Sequence, residues 1–114
     1  MNYIELQTKI IDQSHRKDMA QRVPGFINDD ARTRLNMRLG LELVPLVADT
    51  DTNDILDDWP LLYFYPAMVA LYNFIVEMET AAYFEALYVA EVDSYNVTRA
   101  GTEPLTITPE VPSP

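Results

Sequence analysis

His15 is the only histidine of the 114 residues, and there is no cysteine. One chain therefore lacks both a two-histidine pair and a thiolate set for a metal. His15 sits in the polar run Ser14-His15-Arg16-Lys17, where a turn residue is a simpler assignment than a general base. Glu77 and Glu79 are two residues apart and do not share a helix face. No hydroxyl or amine stands beside a base at a spacing that would activate it as a nucleophile. Asp49, Asp51 and Asn53 have the alternating spacing of a calcium loop, but Asp54 occupies the sixth position, where that loop needs glycine. Three glycines in all leave no phosphate-cradling loop. Asn96-Val97-Thr98 matches the glycosylation triplet, yet Met1 to Lys9 lacks the basic-then-apolar order of a secretion signal. These residues read as no enzyme, with no cofactor and no metal site.

Arg32, Arg34 and Arg38 are the remaining group with chemical potential. They could touch DNA phosphates, but Asp29 and Asp30 flank them, so a salt-bridged subunit-interface face fits better. Net charge is −10, and it is unevenly placed. Residues 1–38 carry seven bases against five acids, whereas residues 39–114 carry thirteen acids against one base, Arg99. Such polarity suits head-to-tail contact between copies, a basic face meeting an acidic one. It also argues against a tight grip on nucleic acid.

The elements that must position these residues follow from periodicity. Asn2 and Glu5 have capping-box spacing, so a helix should begin at Tyr3 and present Tyr3, Ile4, Leu6, Ile10 and Ile11 on one face through about Gln13. Asp18 should cap a short turn through Arg22, and Pro24-Gly25 should mark a boundary with Val23 extended. Phe26, Ile27, Ala31, Leu35 and Leu39 predict an amphipathic helix that Gly40 ends. Residues 41–47 alternate weakly around Pro45 and predict a short extended segment or β-bridge at a sheet edge. Residues 48–54, rich in Asp, Asn and Thr, predict a loop.

Asp57 or Asp58 should cap the next helix, with Pro60 in its first turn and Pro66 kinking or delaying it. Between Trp59 and Met78 only Asn73 and Glu77 are strongly polar. A helix apolar nearly all round needs cover on most sides, and neighbouring subunits are the expected cover, with Trp59, Tyr63 and Tyr65 as candidate subunit contacts. Two prolines and the polar-tipped aromatics at its start argue against a membrane span, so the chain reads as soluble. Glu77 to Thr80 should connect to a last helix that buries Ala81, Phe84, Leu87, Tyr88, Val92 and Tyr95 and exposes Glu85, Glu91 and Asp93. The fold class is mainly α, a small bundle of about four helices, with at most a short extended segment and an extended C-terminal tail. Residues 1–100 form the helical domain. Residues 101–114 form a proline-rich arm with one strand-like piece, Leu105-Thr106-Ile107.

Three stretches in this order resemble the small head-to-tail adaptor (connector) proteins of tailed bacteriophages. Met1-Asn-Tyr-Ile-Glu-Leu-Gln-Thr followed by His15-Arg-Lys-Asp-Met-Ala is similar to the family's first helix and its His-Arg-x-Asp-Leu turn. Val23-Pro-Gly-Phe-Ile-Asn with Ala31-Arg-Thr-Arg-Leu-Asn-Met-Arg-Leu39 is similar to its arginine-rich helix. Trp59-Pro-Leu-Leu-Tyr-Phe-Tyr-Pro-Ala-Met, running into Tyr83-Phe-Glu-Ala-Leu-Tyr, is similar to its Leu-Tyr helix and final helix. The family's β-rich segment between the second and third stretches is shortened here to about residues 41–57, and Pro66 stands where a small residue is common.

The resemblance implies a virion protein of the head–tail interface, made in the host bacterial cytoplasm. It implies a ring of identical subunits, typically dodecameric, that sits below the portal protein, extends the DNA channel and carries the tail or nozzle proteins. Genomic DNA would pass without sequence-specific contact, and no membrane is involved. On this reading the arm clasps the portal or tail partner through Pro104, Leu105, Thr106, Ile107 and Val111. The alternative is a small acidic phage-encoded binding or inhibitor protein acting as a monomer or dimer.

Overall fold

The computed structural model describes residues 1–101, and these are mainly helical with no β-strand among them. Helix α1 (Tyr3–Ser14) starts where its capping box places it. Asn2 Oδ1 accepts from the Glu5 N–H at 3.1 Å, and Glu5 Oε1 accepts from the Asn2 N–H at 2.9 Å. The two next free N–H groups, of Tyr3 and Ile4, donate to the carbonyls of Asp51 and Asp49 at 2.9 and 3.0 Å. The acidic loop therefore closes the N-terminus of α1, where negative charge also suits the helix dipole. Tyr3, Leu6 and Ile10 are buried, while Ile4, placed by periodicity on the same face, is 42% exposed. His15 follows in the left-handed conformation at φ 56°, and the turn after it is 3₁₀ (Lys17–Met19) with no side-chain cap from Asp18. Asp18 instead pairs with Arg16 at 2.8 Å.

Pro24-Gly25 is not a boundary. Helix α2 (Val23–Gly25), a π segment (Phe26–Ala31) and helix α3 (Arg32–Leu39) run together as one rod. Pro24 lies in the first turn, where its missing N–H would have had no partner, so Val23 is helical and not extended. The π segment has a positional effect. In an α-helix every fourth residue overshoots a full turn, so a stripe at that spacing drifts round the axis. One wider turn, with the Arg32 N–H donating to the Ile27 carbonyl, offsets the drift. Val23, Ile27, Ala31 and Leu35 consequently all reach 0% exposure on one line. Gly40 ends the rod at φ 66°, a conformation glycine adopts without a Cβ penalty.

Residues 41–47 belong to no helix and form no bridge to another strand. Asn53 Oδ1 accepts from the Leu56 N–H at 2.9 Å and starts a short helix, α4 (Asp54–Asp58). Asp57 and Asp58 lie inside it and do not cap the helix of Pro60, whose cap position is held by Trp59 without a side-chain bond. Helix α5 (Pro60–Phe74) begins with Pro60 in its first turn, as predicted, and continues through Pro66 without interruption. Helix α6 (Met78–Gly101) then packs back along α5.

The expectation that neighbouring subunits must cover α5 is overturned. The rod, α1, α4 and α6 of the same chain surround it. Leu62, Tyr63, Ala67, Met68 and Leu71 are at 0% exposure. The turn to α6 is a Schellman arrangement: the Glu77 N–H donates to the Tyr72 carbonyl at 2.8 Å and the Val76 N–H to the Asn73 carbonyl at 3.1 Å. Val76 occupies the left-handed position at φ 61°, where a β-branched residue is strained. On α6, Ala81, Tyr88, Val92 and Tyr95 are buried as the spacing predicts, Phe84 and Leu87 only half so. Asp93 is exposed, but Glu85 and Glu91 are half-buried.

Candidate functional site

The residues expected at a subunit interface fall in different environments. Tyr63 lies wholly inside the chain, its hydroxyl accepting from Asn53 Nδ2 at 3.0 Å, so it offers no surface to another subunit. Burial pushes its phenol above the usual range. Arg32 also works internally, donating to the carbonyls of Asn28 and Leu43 at 3.1 and 3.0 Å. Arg34 makes a bidentate pair with Glu85 of α6 at 2.8 Å for both bonds, and its guanidinium lies 4.4 Å from the Tyr88 ring centre. The Arg34 bonds hold the Glu85 carboxyl below the usual carboxylate range. Part of the basic face expected to meet an acidic neighbour is thus occupied within the chain. Arg38 is exposed, and with Arg34, Met37 and Tyr88 it lines a shallow cleft. Trp59 is half-buried, edge-on to Tyr95 at 5.3 Å.

Tyr65 belongs to a cluster that periodicity alone does not define. Phe84 of α6 inserts between α5 side chains, stacked on Tyr72 at 5.7 Å with 5° between the planes. It lies 6.3 Å from Tyr65 and 6.2 Å from Phe64. Tyr83 meets Phe84 edge-on at 5.2 Å, and Lys9 of α1 places its Nζ 4.8 Å above the Phe64 ring. Tyr65, Tyr72 and Phe84 are half-buried, whereas Tyr83 is 60% exposed. Burial raises the phenols of Tyr65 and Tyr72, with Glu91 and Glu77 respectively adding to it. Both hydroxyls thus stay protonated at neutral pH. Near this cluster, the α5–α6 turn exposes Phe74, Val76 and Met78, and Arg22 caps the Phe74 ring at 4.3 Å. Large aromatics with a polar tip are the residues most enriched in protein contact surfaces.

The acidic loop serves the fold. Asp51 accepts from the Val47 and Ala48 N–H groups at 2.9 and 2.8 Å, and these bonds lower its carboxyl. Among the described residues no group of three or more His, Cys, Asp or Glu could hold a metal ion. No helix among them is long and apolar enough to cross a membrane.

Two residues escaped the sequence reading. Asn28 and Asn36 project from one side of the rod and grip residues 41–47. Asn36 accepts from the Leu43 N–H at 2.8 Å and donates to the Leu43 carbonyl at 3.1 Å. Asn28 does the same for Leu46, both bonds 2.8 Å. Each amide thereby takes the place of a peptide group of a neighbouring strand. With Arg32 they stand at steps of four, the one signal that could have marked them. Pro104, Leu105, Thr106, Ile107 and Val111 lie outside the described residues. Comparison with protein families, with curated proteins and with solved structures finds no match to this chain.

Proposed function

We propose that the chain is a structural assembly subunit, a head-to-tail adaptor of a tailed bacteriophage. Copies would form a ring below the portal that extends the DNA channel and provides the platform for the tail. The observation that carries this is the surface of Tyr65, Tyr72, Tyr83 and Phe84, with Phe74, Val76 and Met78 at the adjoining turn. Its chemistry is that of a protein contact. The order of sequence motifs supplies the family, and the surplus of acids after residue 38 suits a conduit that DNA must slide through without sticking. The arm after residue 101 is the proposed link to other copies or to the portal and tail proteins.

One observation favours a second reading, a small acidic binding protein. Helix α5 is covered within its own chain, so its apolarity no longer demands neighbours. Light scattering of the purified protein across a concentration series, with and without portal rings, separates the two. A ring-sized species, or one that appears only with portal, is expected. A stable monomer that ignores portal would establish the acidic binding protein instead.

A further inference from the structure

Residues 41–44 alternate as extended backbone does, Leu41 and Leu43 half-buried and Glu42 and Val44 exposed, with only one edge in use. Extended backbone turns successive residues to opposite edges. The Leu41 N–H donates to the Asn36 carbonyl at 3.2 Å, and Leu43 is held by the Asn36 amide on the same side. Glu42 and Val44 therefore turn their N–H and C=O groups to the opposite edge, and no backbone partner meets them among the described residues. Val44 is 71% exposed. The edge is also bounded. Gly40, left-handed, precedes it, and Pro45, without an N–H, follows it. Beyond Pro45, Leu46 returns to the rod through Asn28, and the Val47 N–H is taken by Asp51. What remains is two residues with a full set of donors and acceptors, room for one added strand of about four residues.

The other end of the chain points to the occupant. Tyr95 is the last buried residue of α6, and Asn96 to Ala100 are all exposed. The helix thus carries its end about 9 Å past its own core. Residues 102–104 can add at most about 11 Å before the run Leu105-Thr106-Ile107-Thr108, whose residue types favour strands. Chain that continues from an end carried past its own core is long enough to reach a neighbouring copy. We propose that residues 105–108 of one copy add as a strand to the open edge at Glu42 and Val44 of a second copy. Leu105 and Ile107 would then extend the half-buried face of Leu41 and Leu43. This rests on the assembly-subunit reading and names the contact by which copies join in sequence. It also explains why the inner edge is satisfied by side-chain amides: a helix can hold the segment flat while leaving a whole edge open.

The absence of cysteine makes crosslinking a clean test. Full-length Val44→Cys is mixed with full-length chains carrying cysteine at each of residues 105–108 in turn, with portal rings present if assembly needs them. Thr8→Cys, exposed on α1, replaces Val44→Cys in the control. Mild oxidation is expected to give interchain disulfides with Val44→Cys at one or two adjacent arm positions and none with Thr8→Cys. A chain carrying both members of the best pair should form a covalent ladder of copies. Ile107→Pro, which removes a strand N–H, should abolish assembly without changing the melting temperature. Assembly that yields no crosslink above the control overturns the edge contact and leaves the subunit reading standing. Closure of the disulfide within one chain also overturns it, the arm then serving its own body. A monomer with and without portal overturns both.

Discussion

At the scale of single residues, several side chains do work that their neighbours make visible. Val76 holds the left-handed position of the α5–α6 turn at φ 61° and is 73% exposed, so its side chain brings strain and little burial. Val76→Gly is expected to raise the unfolding free energy by about 1 kcal/mol, the relieved strain exceeding the added unfolded-state entropy. Urea unfolding measures it, and a loss of stability would show that the valine packs more than it strains. Tyr88 is the opposite case: its hydroxyl is buried with no hydrogen-bond partner. Tyr88→Phe removes that orphan and should be neutral or stabilising by about 1 kcal/mol. The Arg34–Glu85 pair sets a pH dependence. Glu85 is held below its unfolded pKa, so its contribution is present above the ordinary carboxylate range and is lost as pH falls through the lowered folded value. Because the pair is partly exposed, with side chains at 35% and 43%, its worth is discounted for screening to about 0.5 kcal/mol. As pH falls from neutral to below the lowered Glu85 value, the wild type should lose that much more stability than Glu85→Gln. Equal losses would mean that the pair contributes nothing.

At the scale of elements, the seven residues after Gly40 depend on three side chains of the rod. Asn36→Ala removes both amide bonds to Leu43 and is expected to cost about 1–2 kcal/mol. Its specific signature is faster amide hydrogen exchange at Leu43, with protection in α5 unchanged. Uniform loss of protection would mean that the segment and the bundle unfold as one unit. Periodicity reads the helices of this fold well, because each buries a stripe: the capping box of α1, Gly40 as terminator and the buried line of α6 all follow from local pattern. It fails where a partner distant in sequence decides. Pro24 reads as a break until the first turn of a helix is known to tolerate it. Asp57 and Asp58 read as caps for the helix of Pro60 until the short helix α4 is seen to contain them both. The asparagine grip on residues 41–47 joins positions 7 and 18 apart, and no window of one element contains both ends. The aromatic cluster is illegible for the same reason, since Phe84 meets Tyr65 and Tyr72 only once α6 folds back on α5.

At the scale of the whole molecule, the cover of α5 is instructive. The apolar residues of that helix ask for cover on most sides, and three helical partners and the rod fit around its 15 residues. The case for assembly then rests on what the bundle leaves outside. The described core cluster runs from Tyr3 to Tyr95, and that folding and association are separate is the expectation to test. Truncation after Gly101 is expected to leave the melting temperature and the urea midpoint unchanged, because every buried side chain of the core cluster remains. The same truncation should abolish the large species in light scattering and co-sedimentation with portal rings, since it removes Leu105, Ile107 and Val111 while sparing the aromatic face. Tyr83→Ser supplies the complementary change: a 60% exposed ring is lost with the arm intact. If truncated protein still assembles and Tyr83→Ser does not, the aromatic face is the principal contact and the arm is dispensable. If both changes leave assembly intact, copies join through a surface other than these two.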